Sequence, residues 1–313
     1  MSTTTAVAPP IAKEIPLVPE RLYSVERAKF AENFNRRPFM LDHSLSGHPA
    51  FTMDRLHGLL ERSLPIPNKV YWNAGKKRID QRWDDRPGRD FSIDEAFRRI
   101  RETDAWIIIF GADRDPEIHE LLEKGLAEVQ EMTGIPLNKE AKSRQSIIFI
   151  TSPHRVTEYH IDRECSLLLQ VYGKKTIHVF DQTDREVLSE EELERFWTAD
   201  TNAATYKPHL QNRANSFLLE PGKAVHIPIN APHWLENGDD ISVSVNQNFE
   251  FLDQKLGNVY RANYYARKMG FHPLPPGQSH TRDMIKAHGM RLPSFVSRRA
   301  KAIGKSLSRK QAS

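Results

Sequence analysis

The chain has 313 residues, 39% hydrophobic and 27% charged, a profile that excludes collagenous and broadly disordered classes. No apolar run approaches the roughly 18–20 residues that span a bilayer, and no basic segment followed by an apolar stretch opens the sequence, so a cytoplasmic location is expected. The net charge of +4 is uneven: residues 282–313 hold nine Lys/Arg against one Asp, +8, which leaves −4 on residues 1–281 and argues against a nucleic-acid-binding body.

In chain order, residues 1–24, whose opening stretch is rich in Ser, Thr, Ala and Pro, read as a flexible arm. Residues 25–145 read as an α/β region: a short helix over Glu26–Asn33, a strand at Phe39–Leu41, and a helical apolar stripe from Met53 to Leu64 with Thr52 as N-cap. A strand follows at Val70–Trp72, a capping box at Ser92 and Glu95 opens a helix, and Trp106–Phe110 is an apolar β run. Pro116 opens a long helix that Gly134-Ile135-Pro136 stops. From Ser146 the pattern becomes short strands between turn residues: 147–151, 166–172, 176–180, 216–219, 224–228 and 241–251, with a charged helix at Ser189–Trp197. This suggests a sandwich or small barrel over 146–255. Residues 256–313 read as helical with a basic tail, in which Phe295, Val296, Ala300, Ile303 and Leu307 alternate with Arg and Lys.

His160-Ile161-Asp162 is the most informative motif. Residues two apart on a strand share a face about 6.6 Å apart, so His160 and Asp162 can converge on one ion while Ile161 turns away. About one or two such tripeptides are expected by chance at this composition, and this is the only one present. His233 follows 73 residues later in Ile227-Pro228-Ile229-Asn230-Ala231-Pro232-His233-Trp234. Two imidazoles and one carboxylate form a facial iron(II) site that leaves three positions open. His226 and His209 compete with His233 for the second imidazole; His154 and His178 read as ordinary histidines. Cys165, the single cysteine, can form no intrachain disulfide and reads as a small buried hydrophobe.

The run Val156-Thr157-Glu158-Tyr159-His160-Ile161-Asp162, with Val171 to Phe180, Ile227-Pro228 and His233, resembles the cupin-like JmjC oxygenases. Among these it looks closest to the branch containing the asparaginyl hydroxylase of hypoxia-inducible factor and small bacterial relatives, over about residues 35–255. The resemblance implies an α+β fold with a double-stranded β-helix, a jelly-roll-like cupin barrel, decorated by N-terminal α/β elements and C-terminal helices. It implies Fe(II) on His160, Asp162 and His233, with 2-oxoglutarate as co-substrate and O2 as oxidant. Thr157 and Lys175 match residues that contact the distal carboxylate of 2-oxoglutarate, and Asn246 matches an asparagine near it. A buried dianion needs a fixed cation. Lys175 shares parity with Ile177 and Val179, and a one-residue slip would put Lys174 in its place. Ser242, Ser244, Asn246 and Asn248 share one strand face and suggest a polar interior. Ala231-Pro232 departs from the paired tryptophans common in the family.

The expected activity is therefore that of a 2-oxoglutarate-dependent dioxygenase, a hydroxylase of an unidentified small molecule or protein side chain. The alternatives are a non-catalytic metal- or ligand-binding regulator and a cupin using another metal, such as zinc, for non-oxidative chemistry. Tyr71, Asn73 and Tyr159 are expected as pocket walls, with Tyr71 also read, like Trp72 and Trp106, as core. The basic tail is a candidate for an anionic surface, and a homodimer is compatible with the reading. No zinc-binding cysteine cluster accompanies the motif.

Overall fold

Strand alternation and helix capping account for the arrangement in the computed structural model, which describes residues 19–83 and 91–290. The basic segment around Phe295–Leu307 and most of the N-terminal arm lie outside the described residues. Elements run β1 (Tyr23–Ser24), α1 (Arg27–Asn33), β2 (Phe39–His43), α2 (Met53–Ser63), β3 (Val70–Asn73), α3 (Ile93–Arg98), β4 (Trp106–Phe110), α4 (Pro116–Thr133), α5 (Leu137–Glu140) and β5 (Ala141–Thr151). They continue with β6 (Val156–His160), β7 (Cys165–Tyr172), β8 (Lys175–Val179), α6 (Glu190–Thr198), β9 (Asn215–Leu219), β10 (Lys223–Ile227), β11 (His233–Asn237), β12 (Ser242–Phe251), α7 (Lys255–Lys268) and α8 (His280–Gly289).

The strands form two antiparallel sheets, an eight-stranded one in the order β1-β2-β10-β7-β12-β5-β4-β3 and a four-stranded one in the order β6-β11-β8-β9. Strand β7 sits inside the large sheet, between β10 and β12. Its near-continuous apolar run follows from that position, because both faces are covered. Leu167, Leu169 and Val171 join the main core with Leu121, Leu122, Leu126 and Val129 of α4. Leu168 faces the other way and, with Val225 and Ile227 of β10, meets Ile177, Val179, Leu219 and Leu235 of the small sheet. That second core glues the sheets face to face, an α+β arrangement consistent with a jelly roll.

Helix α4 starts and stops as its sequence predicts. The Asp115 carboxylate accepts from Glu117 N at 3.2 Å, Pro116 follows, and Gly134 terminates the helix at φ 71°, a conformation that costs glycine nothing. Differences elsewhere have local causes. Thr52 holds the N-cap position of α2, but its hydroxyl donates back to Pro49 O at 3.2 Å and caps nothing. Ser92 accepts from Glu95 N at 3.2 Å, one half of a capping box; the full box is at Ser189 and Glu192 ahead of α6. The arm ends sooner than expected, because Leu22 and Tyr23 are buried and donate their backbone N–H groups to the Glu128 carboxylate at 2.7 and 2.8 Å. Strands β1 to β4 extend the same sheet as β5, β7, β10 and β12.

Candidate metal centre and cavity

His160 ends β6 and His233 begins β11, and the two residues are direct partners in the antiparallel ladder. Their rings lie 4.2 Å apart between centroids. Asp162, just beyond the strand, brings its Oδ2 to 3.7 Å from each Nε2. The three donor atoms lie within 4.8 Å of one another. Bonds of about 2.1 Å at right angles would bring donors to about 3.0 Å, so small side-chain shifts would close this cluster on one ion. His160 Nδ1 donates to Glu158 O at 2.7 Å and His233 Nδ1 donates to Ala231 O at 2.9 Å. Each bond fixes the tautomer and leaves the Nε2 lone pair directed at the shared point. Burial, and then the neighbouring His160, push His233 down to about 4, so its ring is neutral and able to ligate at neutral pH.

The competing histidines are otherwise engaged. His226 is fully buried on the far side of β10: Nδ1 donates to Ser166 O at 2.9 Å while Nε2 accepts from Asn35 N at 2.7 Å. His209 is exposed. His178 stacks on Trp234 and bonds Ser216 Oγ at 2.7 Å, and His154 is exposed with φ 56°.

Thr157 stands three residues before His160, which simple alternation would place on the opposite face. A bulge resolves this, since Glu158 and Tyr159 together oppose Trp234 while Thr157 pairs with Leu235. Thr157 therefore lines a cavity of about 490 Å³ with His160, Asp162, Asn246 and Asn248. The Oδ1 atoms of Asn246 and Asn248 are buried without a hydrogen-bond partner among the described residues. Ser242 and Ser244 on the same strand face bond Gln170, at 2.9 and 2.8 Å. The predicted polar interior is present.

Lys175 lies on the β8 face that carries Ile177 and Val179, and it is 5% exposed. No hydrogen bond or ion pair reaches its ammonium among the described residues, and burial pushes it down to about 7. Lys174 is exposed and pairs with Glu220 at 2.5 Å, so the register assigns the interior position to Lys175. Lys175 and His233 are both buried, and neither is among the residues that line the cavity.

Of the three predicted pocket walls, Tyr71 lines the cavity and the other two do not. Asn73 is buried and accepts from Arg155 Nη2 at 2.7 Å. The bulge turns Tyr159 outward, where it packs with Phe180, Tyr206 and Trp234. Trp106 is core as expected, buried with Ile108 and Ile147, and it also lines the cavity, where Trp83, Ile108, Phe110, Phe149 and Phe196 join it. These were missed, although parity holds the signal for β4: Ile107 and Ile109 enter the main core, so Trp106, Ile108 and Phe110 must face the other way. Glu164 also lines the cavity, its carboxyl pushed up to about 7 by burial and then by Asp162 and Glu250.

No family model matches the chain, and no curated protein matches it. Solved structures do. A crystal structure of Escherichia coli YcfD aligns over 88% of this chain and 69% of its own at 16% identity, with a TM-score of 0.51. A second YcfD structure, described as a ribosomal oxygenase in complex with cobalt and 2-oxoglutarate, aligns over 88% and 68% at 17% identity, with a TM-score of 0.48. At these identities the likeness is one of fold.

Proposed function

We propose that the protein is an Fe(II)- and 2-oxoglutarate-dependent oxygenase that hydroxylates an unidentified substrate, its two sheets acting as the double-stranded β-helix of the cupin-like JmjC enzymes. The observation that carries this reading is the conjunction of a three-donor centre with a buried, unpartnered lysine. A regulator that binds metal alone has no use for such a lysine.

The residues fit the implied groups. His160, His233 and Asp162 offer the donor set that would hold iron(II), and His160 and Asp162 line the cavity. Lys175 is a buried cation without an anion, and a carboxylate is what would complete it. When bound, iron with 2-oxoglutarate and O2 supplies the oxidising power for C–H hydroxylation and yields succinate and carbon dioxide. This chain's residues do the rest. Lys175 and the Thr157 hydroxyl hold the distal carboxylate. Asn246 and Asn248, which line the cavity, orient what lies beside the metal. The aromatic wall from Tyr71 to Phe196 excludes water and shapes a mostly apolar space for the substrate, whether small molecule or protein side chain. No described helix is long and apolar enough to cross a membrane; a cytoplasmic location is part of the proposal.

Calorimetric titration of cobalt-loaded protein with 2-oxoglutarate tests the site. Wild-type protein binds, and Lys175→Met weakens binding by about 30-fold or more, in line with loss of a charge-assisted pair of about 2 kcal/mol or more. Equal affinity in the variant would remove Lys175 from the site and the main support for the reading.

A further inference from the structure

The loops that carry Asp162 and His233 lie on different strands, and something must hold them in register. Asn230 does so from the His233 loop. It adopts φ 61°, a left-handed conformation that asparagine tolerates, and its backbone N–H donates to Asp162 O at 3.0 Å. Its side chain is held in turn: Trp197 Nε1, at the end of α6, donates to Asn230 Oδ1 at 3.1 Å in a buried setting. Trp197 is fixed by α7. A Cβ on Gly257 would fall 2.3 Å from the indole, so only glycine permits this approach, and the Arg261 guanidinium lies 5.4 Å from the indole centroid while donating to Trp197 O at 2.9 Å. Arg163, next to Asp162, lies 5.3 Å from the same ring and donates to Phe196 O at 2.6 Å.

We propose that Trp197 and Asn230 are positioning residues for the metal centre, through which the C-terminal helix α7 sets the distance between Asp162 and His233. The proposal rests on the metal reading above. Neither residue reaches the ion. Trp197 holds Asn230, Asn230 ties the Asp162 backbone to the His233 loop, and the two ligands stay convergent. Partners of this kind typically change metal affinity by about 10–100-fold when removed.

Cobalt(II) binding, read from its visible absorption spectrum and by competition with a chelating dye, tests this in a double-mutant cycle. Trp197→Phe keeps the ring and removes the donor; Asn230→Gly keeps the backbone conformation and removes the acceptor. Each single change is expected to weaken cobalt binding about tenfold or more and shift the absorption bands. The double variant is expected to be no worse than either single one. Asn230→Asp, which retains an acceptor, restores near wild-type affinity. Wild-type affinity in both single variants, or losses that multiply in the double variant, would overturn the positioning role while leaving the metal site standing. Failure of the wild-type protein to bind cobalt would overturn the metal site, and this role with it.

Discussion

Lys175 is the most informative single residue, because a buried ammonium with no counter-charge among the described residues lowers stability, a cost that a function can explain. Its proton affinity falls from the ordinary lysine value to about 7 on folding. Between pH 7 and 10.5 the unfolded chain therefore binds the extra proton, so stability rises with pH across that window and the penalty is complete below it. Lys175→Met removes the penalty. Denaturant unfolding should show the variant more stable by on the order of 1–4 kcal/mol at pH 6, with the gain fading toward pH 10. A loss of stability at pH 6 would mean the lysine has a structural partner. For the same reason wild-type affinity for 2-oxoglutarate should fall as pH rises above 7, a trend that titration at pH 6.5 and 8.5 would reveal. The H-x-D pair and His233, legible in the sequence, do converge, and Thr157 and Asn246, added by resemblance, line the cavity, while Lys175 is buried outside its lining. The position of Tyr159 was not legible, because a one-residue bulge at Glu158–Tyr159 reverses which side chains of β6 face inward, and no local pattern marks it.

At the scale of elements, helices α6 and α7 frame the metal loops. The Gly257–Trp197 contact makes an unusual prediction for a helix interior, where alanine normally stabilises by about 1 kcal/mol relative to glycine. Here a methyl group has no room beside Trp197, so Gly257→Ala should destabilise by about 1–3 kcal/mol, measured by thermal or denaturant unfolding. An unchanged or raised stability would show that α7 can shift freely. Ser189→Ala removes the donor and acceptor hydroxyl of the capping box ahead of α6 and should cost about 1 kcal/mol in the same assay. Elements were well read where periodicity or a continuous apolar run was strong, as in α4 and β4, and least well where composition was mixed. Strands β6 and β11, five residues each, carry the ligands yet have mixed composition, and their identity comes from pairing with each other across the ladder.

For the molecule as a whole, two sheets joined by an apolar inter-sheet core present a polar patch, with His160 and Asp162 of the three convergent donors, to one aromatic-walled cavity. The short strands after Ser146 pointed to a sandwich or small barrel, and the α+β class came from the resemblance. The sharing of one sheet by the N-terminal strands and those after Ser146 was not legible, since strand order is set by long-range pairing that no window of sequence contains. The central claim concerns chemistry, and the formation of succinate tests it most directly. Protein loaded anaerobically with iron(II) and then given 2-oxoglutarate and oxygen should release succinate, slowly in the absence of its prime substrate, and Asp162→Ala should release none above background. Iron-loaded wild-type protein that neither binds 2-oxoglutarate nor forms succinate would contradict the account.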